Sequence, residues 1–557
     1  MVKVCKVAAV LLAGCRLVAG PQQAEARDIL RQAVEFYRTR ASIHGGYHYY
    51  YAEDLSYARS EHGEGFTQAE VQREATPIVG MAYLEAWETT GDRYYLEAAR
   101  ETAHALVEGQ LCSGGWDYFI EFDPAKRKDY PYRADGPCEG RAHGRHVTNL
   151  DDNVTQANAR LLARVDRELE FQDLKIHEAA RFALDSLVQA QYPNGAWPQR
   201  YNRFPDPAQH PVKRASYPDS WPRQWPGEIY REHYTFNDNS IVDAIDTMLE
   251  AARIYKEPRY RAAAEKGAGF LLLAQMPDPQ PGWAQQYDRD MHPAWARRFE
   301  PPSVTGGEAQ GVMKMLLVLY RETGDKKYLE PLGRAIDYYR RSALPETANP
   351  SEIRRRACPP GTLCLARFYE LKTNRPLYIT KGTRVNVLHA SATIVDGYQL
   401  SYDDASVITH YAVLVNGNQL RVIQEEYERV KSTDPATLRR PDKLRGLSPW
   451  NDRWPAPSRP AAAALAPRVQ ALAAGMDARG AWLEPGNIGK ADRIVSLFAA
   501  KEMVVTVGGK VIPIQENDTV EVFAGKETPR QRIIRSETFA KNVETLCAYL
   551  AAAGGGR

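Results

Sequence analysis

The sequence of 557 residues is short of cysteine, of net charge and of long apolar runs, and each shortage excludes something. Seven cysteines (Cys5, Cys15, Cys112, Cys138, Cys358, Cys364 and Cys547) are too few for a small disulfide-held scaffold. None has CxxC spacing or the Cys/His spacing of a zinc site; Cys358 and Cys364, flanking "PPGTL", could pair, as could Cys112 and Cys138. Seventy-two Lys and Arg against seventy Asp and Glu leave a net charge of +2, so composition gives no case for nucleic acid. No apolar run approaches the roughly 18 residues that a membrane-spanning helix needs. No EF-hand spacing is present either.

What is abundant is aromatic: 31 Tyr and 10 Trp in a chain that is 44% hydrophobic, ample for one large core or two to three domains. The first residues, "MVKVCKVAAVLLAGCRLVAGPQQAEAR", place Lys3 and Lys6 before the short apolar segment Val7 to Gly14. That is the form of an export signal, expected to end after Ala26 at "AEA". "LAGC" resembles a lipoprotein box that would leave Cys15 as a lipidated first residue, so the expected location is periplasmic, extracellular or lipid-anchored. No transmembrane segment is expected.

Hydrophobic periodicity then predicts a mostly helical fold. "REATPIVGMAYLEAWETTGDRYYLEAARETAHALVEGQ" reads as two amphipathic helices about Gly91-Asp92. The same unit of helix, turn, helix and loop recurs to about residue 343. Its loops, "QLCSGGWDYFIEFD", "QYPNGAWPQRYNRF" and "QMPDPQPGWAQQYD", carry Trp116, Trp197 and Trp283 at the same phase. Units of this length suit an α/α toroid-like repeat whose long rim loops converge on a cleft. Each tryptophan is expected to pack under the following turn, and all three, at one phase of the repeat, to line the same rim, where Trp197 and Trp283 are candidate platforms for sugar; both readings can hold at once. We expect an α/α-toroid catalytic domain over 27–380 and a small strand-and-helix region over 381–557, packed on it. In that region "YAVLVNGNQLRVIQEEYERV" reads as an extended run and a helix, and "EMVVTVGGKVIPIQENDTVEVF" as a hairpin region.

Polar chemistry concentrates where unit helices begin. "LDDNVTQ" offers Asp151, Asp152 and Asn153; "FNDNSIV" offers Asn237, Asp238 and Asn239. Helix capping needs one such residue, not three. Neighbouring carboxylate and amide oxygens also suit a hard cation such as calcium. In "CLARFYELKTNRPLY", Arg367 follows an apolar run and must be paired, either with a structural acid or with an anionic ligand; Arg375 sits in a turn. "QYDRDMHPAWARRFEPPSVTGGE" adds Asp288, Arg297, Arg298 and Glu308. Acids and bases meeting at one rim suit an acidic polymer bridged through a cation.

Taken together, "DDNVTQ", "QYPNGAWPQRY", "HYTFNDNSIVDAI", "WAQQYD", "ARRFEPPSVTGGE" and "LARFYELKTNRPLY" resemble the family 10 polysaccharide lyases, over roughly residues 85 to 380. The resemblance implies calcium-assisted anti β-elimination of polygalacturonate, with Asp152 and Asp238 holding calcium and Arg367 as Brønsted base. It implies substrate contacts at Asn153 and Arg298, beside the residue-level candidates Asp288, Trp197, Trp283 and Arg375. The loop "YNRFPDPAQHPVKRASYPDSWPRQWPGEIYREH" is longer and more basic than in that family. The alternatives are a lyase of another polyuronate and a glycoside hydrolase using Asp152, Asp238 or Asp288 as its carboxylates.

Overall fold

The computed structural model describes residues 21–554 apart from 142–145, 228–229, 349, 381–383, 388–389, 396–398, 405–413, 440–459, 489–492, 499–502, 508–509, 515–518 and 525–530. The residues preceding Pro21, with Cys15 and most of the expected export signal, lie outside this set. Twelve longer helices carry the fold: α1 (Pro21–Phe36), α2 (Thr76–Thr90), α3 (Arg93–Glu108), α4 (Val154–Glu168), α5 (Leu174–Ala190), α6 (Ser240–Tyr255), α7 (Pro258–Leu273), α8 (Glu308–Thr323), α9 (Glu330–Arg341), α10 (Asn418–Lys431), α11 (Ala462–Gly475) and α12 (Ser536–Ala552). Among the described residues no helix is long and apolar enough to cross a membrane.

The helices form two concentric rows, the toroid-like repeat expected from the sequence. The inner row runs α12, α2, α4, α6, α8, α10, and each inner helix from α2 to α6 packs against the helix that follows it in the chain, while α8 and α9 meet through the short turn between them. Composition explains the rows. Every residue of α4 from Val154 to Asp166 is buried, so this helix is enclosed on all sides. In α5 burial follows Ile176, Ala179, Ala180, Ala183, Leu184 and Leu187, the single stripe of a helix with one face to solvent. The turns within units use the predicted signals: Gly91 and Gly324 end their helices at φ 71° and 73°, and Asp92 and Asp325 accept N–H bonds at the start of the next turn.

The tryptophans correct an expectation. Trp116, Trp197 and Trp283 are 0% exposed. Their indole N–H groups donate to the carbonyls of Leu106, Leu187 and Leu271 at 2.9, 2.8 and 2.9 Å, and Trp482 does the same to Leu472 at 2.9 Å. Trp197 and Trp283 therefore offer no ring face to a sugar; they anchor each loop to the end of its own helix. A glutamine completes the clamp. Gln110, Gln191 and Gln275 each donate once within their loop, to Gly114, Gly195 and Pro281, and once onto the next outer helix, to Ala179, Ala263 and Pro331. Gly195, at φ 98°, lies so close to the Lys266 carbonyl that a Cβ would stand 2.0 Å from it. Trp283→Ala is expected to lower unfolding free energy by about 3–5 kcal/mol in a denaturant titration. Wild-type stability with weakened sugar binding would instead put the ring at the rim.

Between α4 and α6 lies a buried ionic cluster. Arg160 pairs with Asp246 at 3.4 Å and with Glu250 at 3.1 Å, and Arg164 also pairs with Glu250; none of the four side chains is more than 4% exposed. Such a cluster adds little net stability over apolar packing, but breaking one member leaves a buried charge uncompensated. It fixes the relation of the two helices whose first turns carry Asp152 and Asp238.

The chain's far end belongs to the same core. Strand 531–535 pairs antiparallel with 50–52, and α12 packs on α1, α2 and α11. Ala26, where the export signal was expected to end, is fully buried within α1, so a cut there would divide that helix through its packed face. The expected hairpin is present: Met503–Val507 pairs with Lys510–Ile514. The extended run and helix are Leu414–Asn416 and α10. Two disulfides join Cys112 to Cys138 and Cys358 to Cys364, while Cys547 is buried and belongs to neither.

Candidate active site

Each inner helix from α2 to α8 is entered the same way. A short strand pairs with one from the following loop: 68–70 with 119–121, 148–149 with 200–201, 234–235 with 286–287, 304–305 with 368–369. The chain then turns into the helix. At three junctions the strand's last side chain holds the turn: Asn149, Thr235 and Thr305 accept from the backbone N–H of Asp151, Asn237 and Gly307 at 3.0, 3.1 and 3.1 Å. The residue after these is Asp152, Asp238 or Glu308, so three carboxylates occupy equivalent places around the ring.

Asp152 and Asp238 are not helix caps. Both stand in left-handed backbone (φ 50° and 48°), as do Asn153 and Asn239 after them (φ 57° and 59°), and neither asparagine side chain makes a capping bond. Two successive non-glycine residues in this region strain the backbone, by roughly 1–3 kcal/mol each. The strained turns turn the carboxylates toward one another. Oxygens of Asp151, Asp152 and Asp238 lie within 4.8 Å of one another, with Asp151 buried, Asp152 half-buried and Asp238 exposed.

The surrounding bonds keep this geometry. Asp151 accepts from Tyr118 Oη at 3.0 Å and lies 3.9 Å from Arg200, whose Nη2 donates to Tyr118 Oη at 2.7 Å. Asp152 accepts from Gln72 Nε2 at 2.9 Å. Asn237 bridges the two junctions, donating to Asp238 at 2.5 Å and to Asp151 at 3.4 Å. Its carbonyl oxygen accepts from Gln285 Nε2 at 2.5 Å and from Arg367 Nη2 at 3.4 Å. Gln285 in turn donates to Glu300, which holds Arg297 through two N–H bonds at 2.7 and 2.8 Å. Arg367 also makes a short bond to Glu308, itself held by Thr305 Oγ1.

Crowding shows in the protonation of the carboxylates. Burial and then the neighbouring Asp151 and Glu61 push Asp152 up to about 7. Asp238 is pushed up to about 8 by burial, then by Asp151, Asp152 and Glu308, with Arg367 opposing. Because Asp238 keeps an open surface, which water tempers, the neighbouring carboxylates are its firmer cause. Like charges held this close by a strained backbone suit a hard divalent cation, since the three clustered side chains all offer oxygen. The buried side chain of Asn153, 3% exposed, adds an amide oxygen and nitrogen without hydrogen-bond partners. The residues present thus fit a bound metal ion.

Two cavities meet at the cluster. One of about 530 Å³ is lined by Asp238, Asn239, Glu308, Lys314, Arg367 and Gln419 among others. The second, of about 230 Å³, includes Asp152, Glu61, Gln72 and Arg535. The structure thus brings Arg367, Asp152 and Asp238 together with Asn153 buried beside them, and places Asp288, Arg375, Trp197 and Trp283 in other roles. Asp288 accepts from the backbone of Asp290 and His292, both at 2.9 Å, and shapes its own loop. Arg375 is exposed and stacks on Tyr402, 3.5 Å from the ring centroid. Arg298 is half-buried, in a turn closed by the Ala296 to Glu300 bond. Sequence reasoning missed Gln72, Tyr118 and Arg200, and offered Asn237 as an oxygen donor without foreseeing that it bridges the two junctions. Only Asn237, beside Asp238, carried a local signal.

Residues 125–401 match the sequence model of a family described as pectic acid lyase. No curated protein is similar enough in sequence to match. Among solved structures, a family 10 polysaccharide lyase from Cellvibrio cellulosa, a mutant in complex with trigalaturonic acid, is 20% identical with a TM-score of 0.40, covering 63% of this chain and 97% of that one. A GH76 α-mannanase from Bacteroides thetaiotaomicron is 11% identical with a TM-score of 0.34, covering 62% and 74%.

Proposed function

We propose that this chain, whose residues 125–401 match the pectic acid lyase family model, is a pectate lyase that cleaves polygalacturonate by calcium-assisted anti β-elimination. The observation that carries the reading is the convergence of Asp151, Asp152 and Asp238 beside Arg367, joined through Asn237. Asp152 and Asp238 would hold calcium, with Asp151 as a third oxygen donor. A bound calcium would supply positive charge against the uronate carboxylate, acidifying the C5 hydrogen.

The chain's own groups handle the proton and the orientation. Arg367 takes the C5 proton; the C5–H electron pair becomes the C4=C5 double bond, the C4–O bond breaks, and the departing oxygen takes a proton from solvent. No water is consumed. Arginine is an unusual base, with an ordinary pKa of about 12.5 or more. Its contact with Glu308 favours the cation, so proton transfer requires that pair to loosen when substrate enters, and turnover should rise toward alkaline pH. Asn239, exposed in the larger cavity, presents its amide to sugar hydroxyls; Asn153, expected as a substrate contact, is buried beneath the cluster, and Arg298 remains a candidate substrate contact. Export of the protein is part of the same reading, since polymeric pectate is met outside the cell.

The test is ultraviolet absorbance of unsaturated uronate product from polygalacturonate, with calcium and with chelator, repeated on a panel of other uronate polymers. Absorbance that grows with calcium and stops with chelator supports the reading. Reducing ends without absorbance would assign a hydrolase, and absorbance only on another polymer would reassign the substrate.

A further inference from the structure

A third cavity, of about 260 Å³, opens beside the site, and Arg200 belongs to both. Its lining includes Tyr192, Arg200, Arg203, Phe204, Glu232 and Arg289. Arg200, Arg203, Phe204 and Glu232 fall within or at the edges of the long basic loop that follows the second tryptophan. On one side Arg200 Nη2 donates to Tyr118 Oη beside Asp151, on the other its side chain walls this cavity. Arg200 therefore stands between the carboxylate cluster and this cavity.

The chemistry of the walls is specific. Arg203 and Arg289 share one carboxylate, Glu232, at 2.9 and 3.6 Å, and both guanidiniums keep more than half of their side-chain surface open, 80% and 53%. Two guanidiniums on one carboxylate leave cationic capacity for a second anion. Phe204, 46% exposed, stands beside them next to Tyr201. An exposed ring flanked by guanidiniums matches the two faces of a uronate, an apolar C–H surface and a carboxylate. The volume is below the roughly 300 Å³ at which pockets for drug-sized ligands begin, which fits one sugar ring. The floor is rigid: Tyr192 Oη donates to the Glu232 carbonyl, its ring packs 4.3 Å from that of His210, and His210 hydrogen-bonds Tyr234 at the start of the strand leading to Asp238.

We propose that this cavity is a distal subsite for one uronate residue of the bound polymer, with Arg203 and Arg289 receiving its carboxylate and Phe204 its ring face. It rests on the reading of the cluster as a polyuronate lyase site. The test compares wild type, Phe204→Ala and the double variant Arg203→Gln/Arg289→Gln on galacturonate oligomers from dimer to hexamer, in calcium, after thermal melting has confirmed folding. Expected is a rise in KM of about tenfold or more for the hexamer, with kcat and the shortest cleaved oligomer within about twofold. An equal change at every length, or none, overturns the subsite. Formation of unsaturated product by wild type tests the lyase reading separately. Should no such product form, calorimetry with the same hexamer decides: a tenfold loss of affinity in the variants, absent for a neutral galactose oligomer, retains the subsite, and unchanged affinity overturns it.

Discussion

Replacing Asp238 or Asp152 by alanine is expected to lower kcat/KM on polygalacturonate by about 10²-fold or more, the scale seen when one group that stabilises transition-state charge is removed. The half-saturating calcium concentration should rise at least about tenfold, because each carboxylate supplies one side of a three-oxygen cluster within 4.8 Å. Neither side chain caps a helix, so the loss will not come from unfolded α4 or α6. Melting temperatures should match wild type or exceed it in chelator, since one of three mutually repelling carboxylates is gone. An unchanged calcium titration would remove these residues from the metal site. The same crowding sets a pH dependence. Asp152 and Asp238 are raised to about 7 and 8, so the folded protein without cation keeps protons that the unfolded chain releases near pH 4. Their contribution to stability is fully present below about pH 4 and is lost progressively as pH rises from there to about 7 to 8, above which it is gone. Melting in chelator should fall across that window, and saturating calcium should flatten the slope.

Arg367→Ala is expected to lower kcat by about 10²–10⁴-fold, the usual contribution of a positioned general base, with the calcium requirement little changed. Arg367→Lys separates two roles. If the side chain accepts the C5 proton, lysine with its lower ordinary pKa of about 10.4 should restore part of kcat and shift the pH profile to lower pH. If it only pairs with the substrate carboxylate, lysine should alter KM and leave the profile in place. Glu308→Gln removes the acid that holds the guanidinium, so on the base reading it should shift the alkaline limb downward. Arg367→Ala with full turnover would end that reading.

The helical rows were legible from periodicity because burial on one stripe or on all sides is written into sequence. The paired Asp-Asn junctions were also visible, yet the reason for them was not. Capping and ligation use the same residue types, and only the left-handed backbone at Asp152, Asn153, Asp238 and Asn239 separates the two. For the tryptophans the packed reading holds and the sugar platform fails: a rim platform and a loop anchor share one spacing, and the bond from each indole to a leucine carbonyl ten or twelve residues earlier has no sequence mark. Gln72, Tyr118 and Arg200 stayed hidden because they reach the cluster from three different loops. Asp288 looked equivalent to the other acids by composition, but its turn absorbs its oxygens.

The antiparallel union of strand 50–52 with strand 531–535, and of α2 with α12, gives the molecule a particular order of assembly. Helices α2 to α9 find partners close in sequence and can associate as they emerge. The outer flank of α2, and with it the wall formed by Tyr49, Gln72 and Arg535 next to Asp152, waits for the last fifty residues to arrive. Closing so long a loop is the slow, entropically demanding part of folding. A nascent chain therefore carries the cluster's carboxylates and the larger cavity beside Arg367 well before it carries the wall of the smaller cavity next to Asp152.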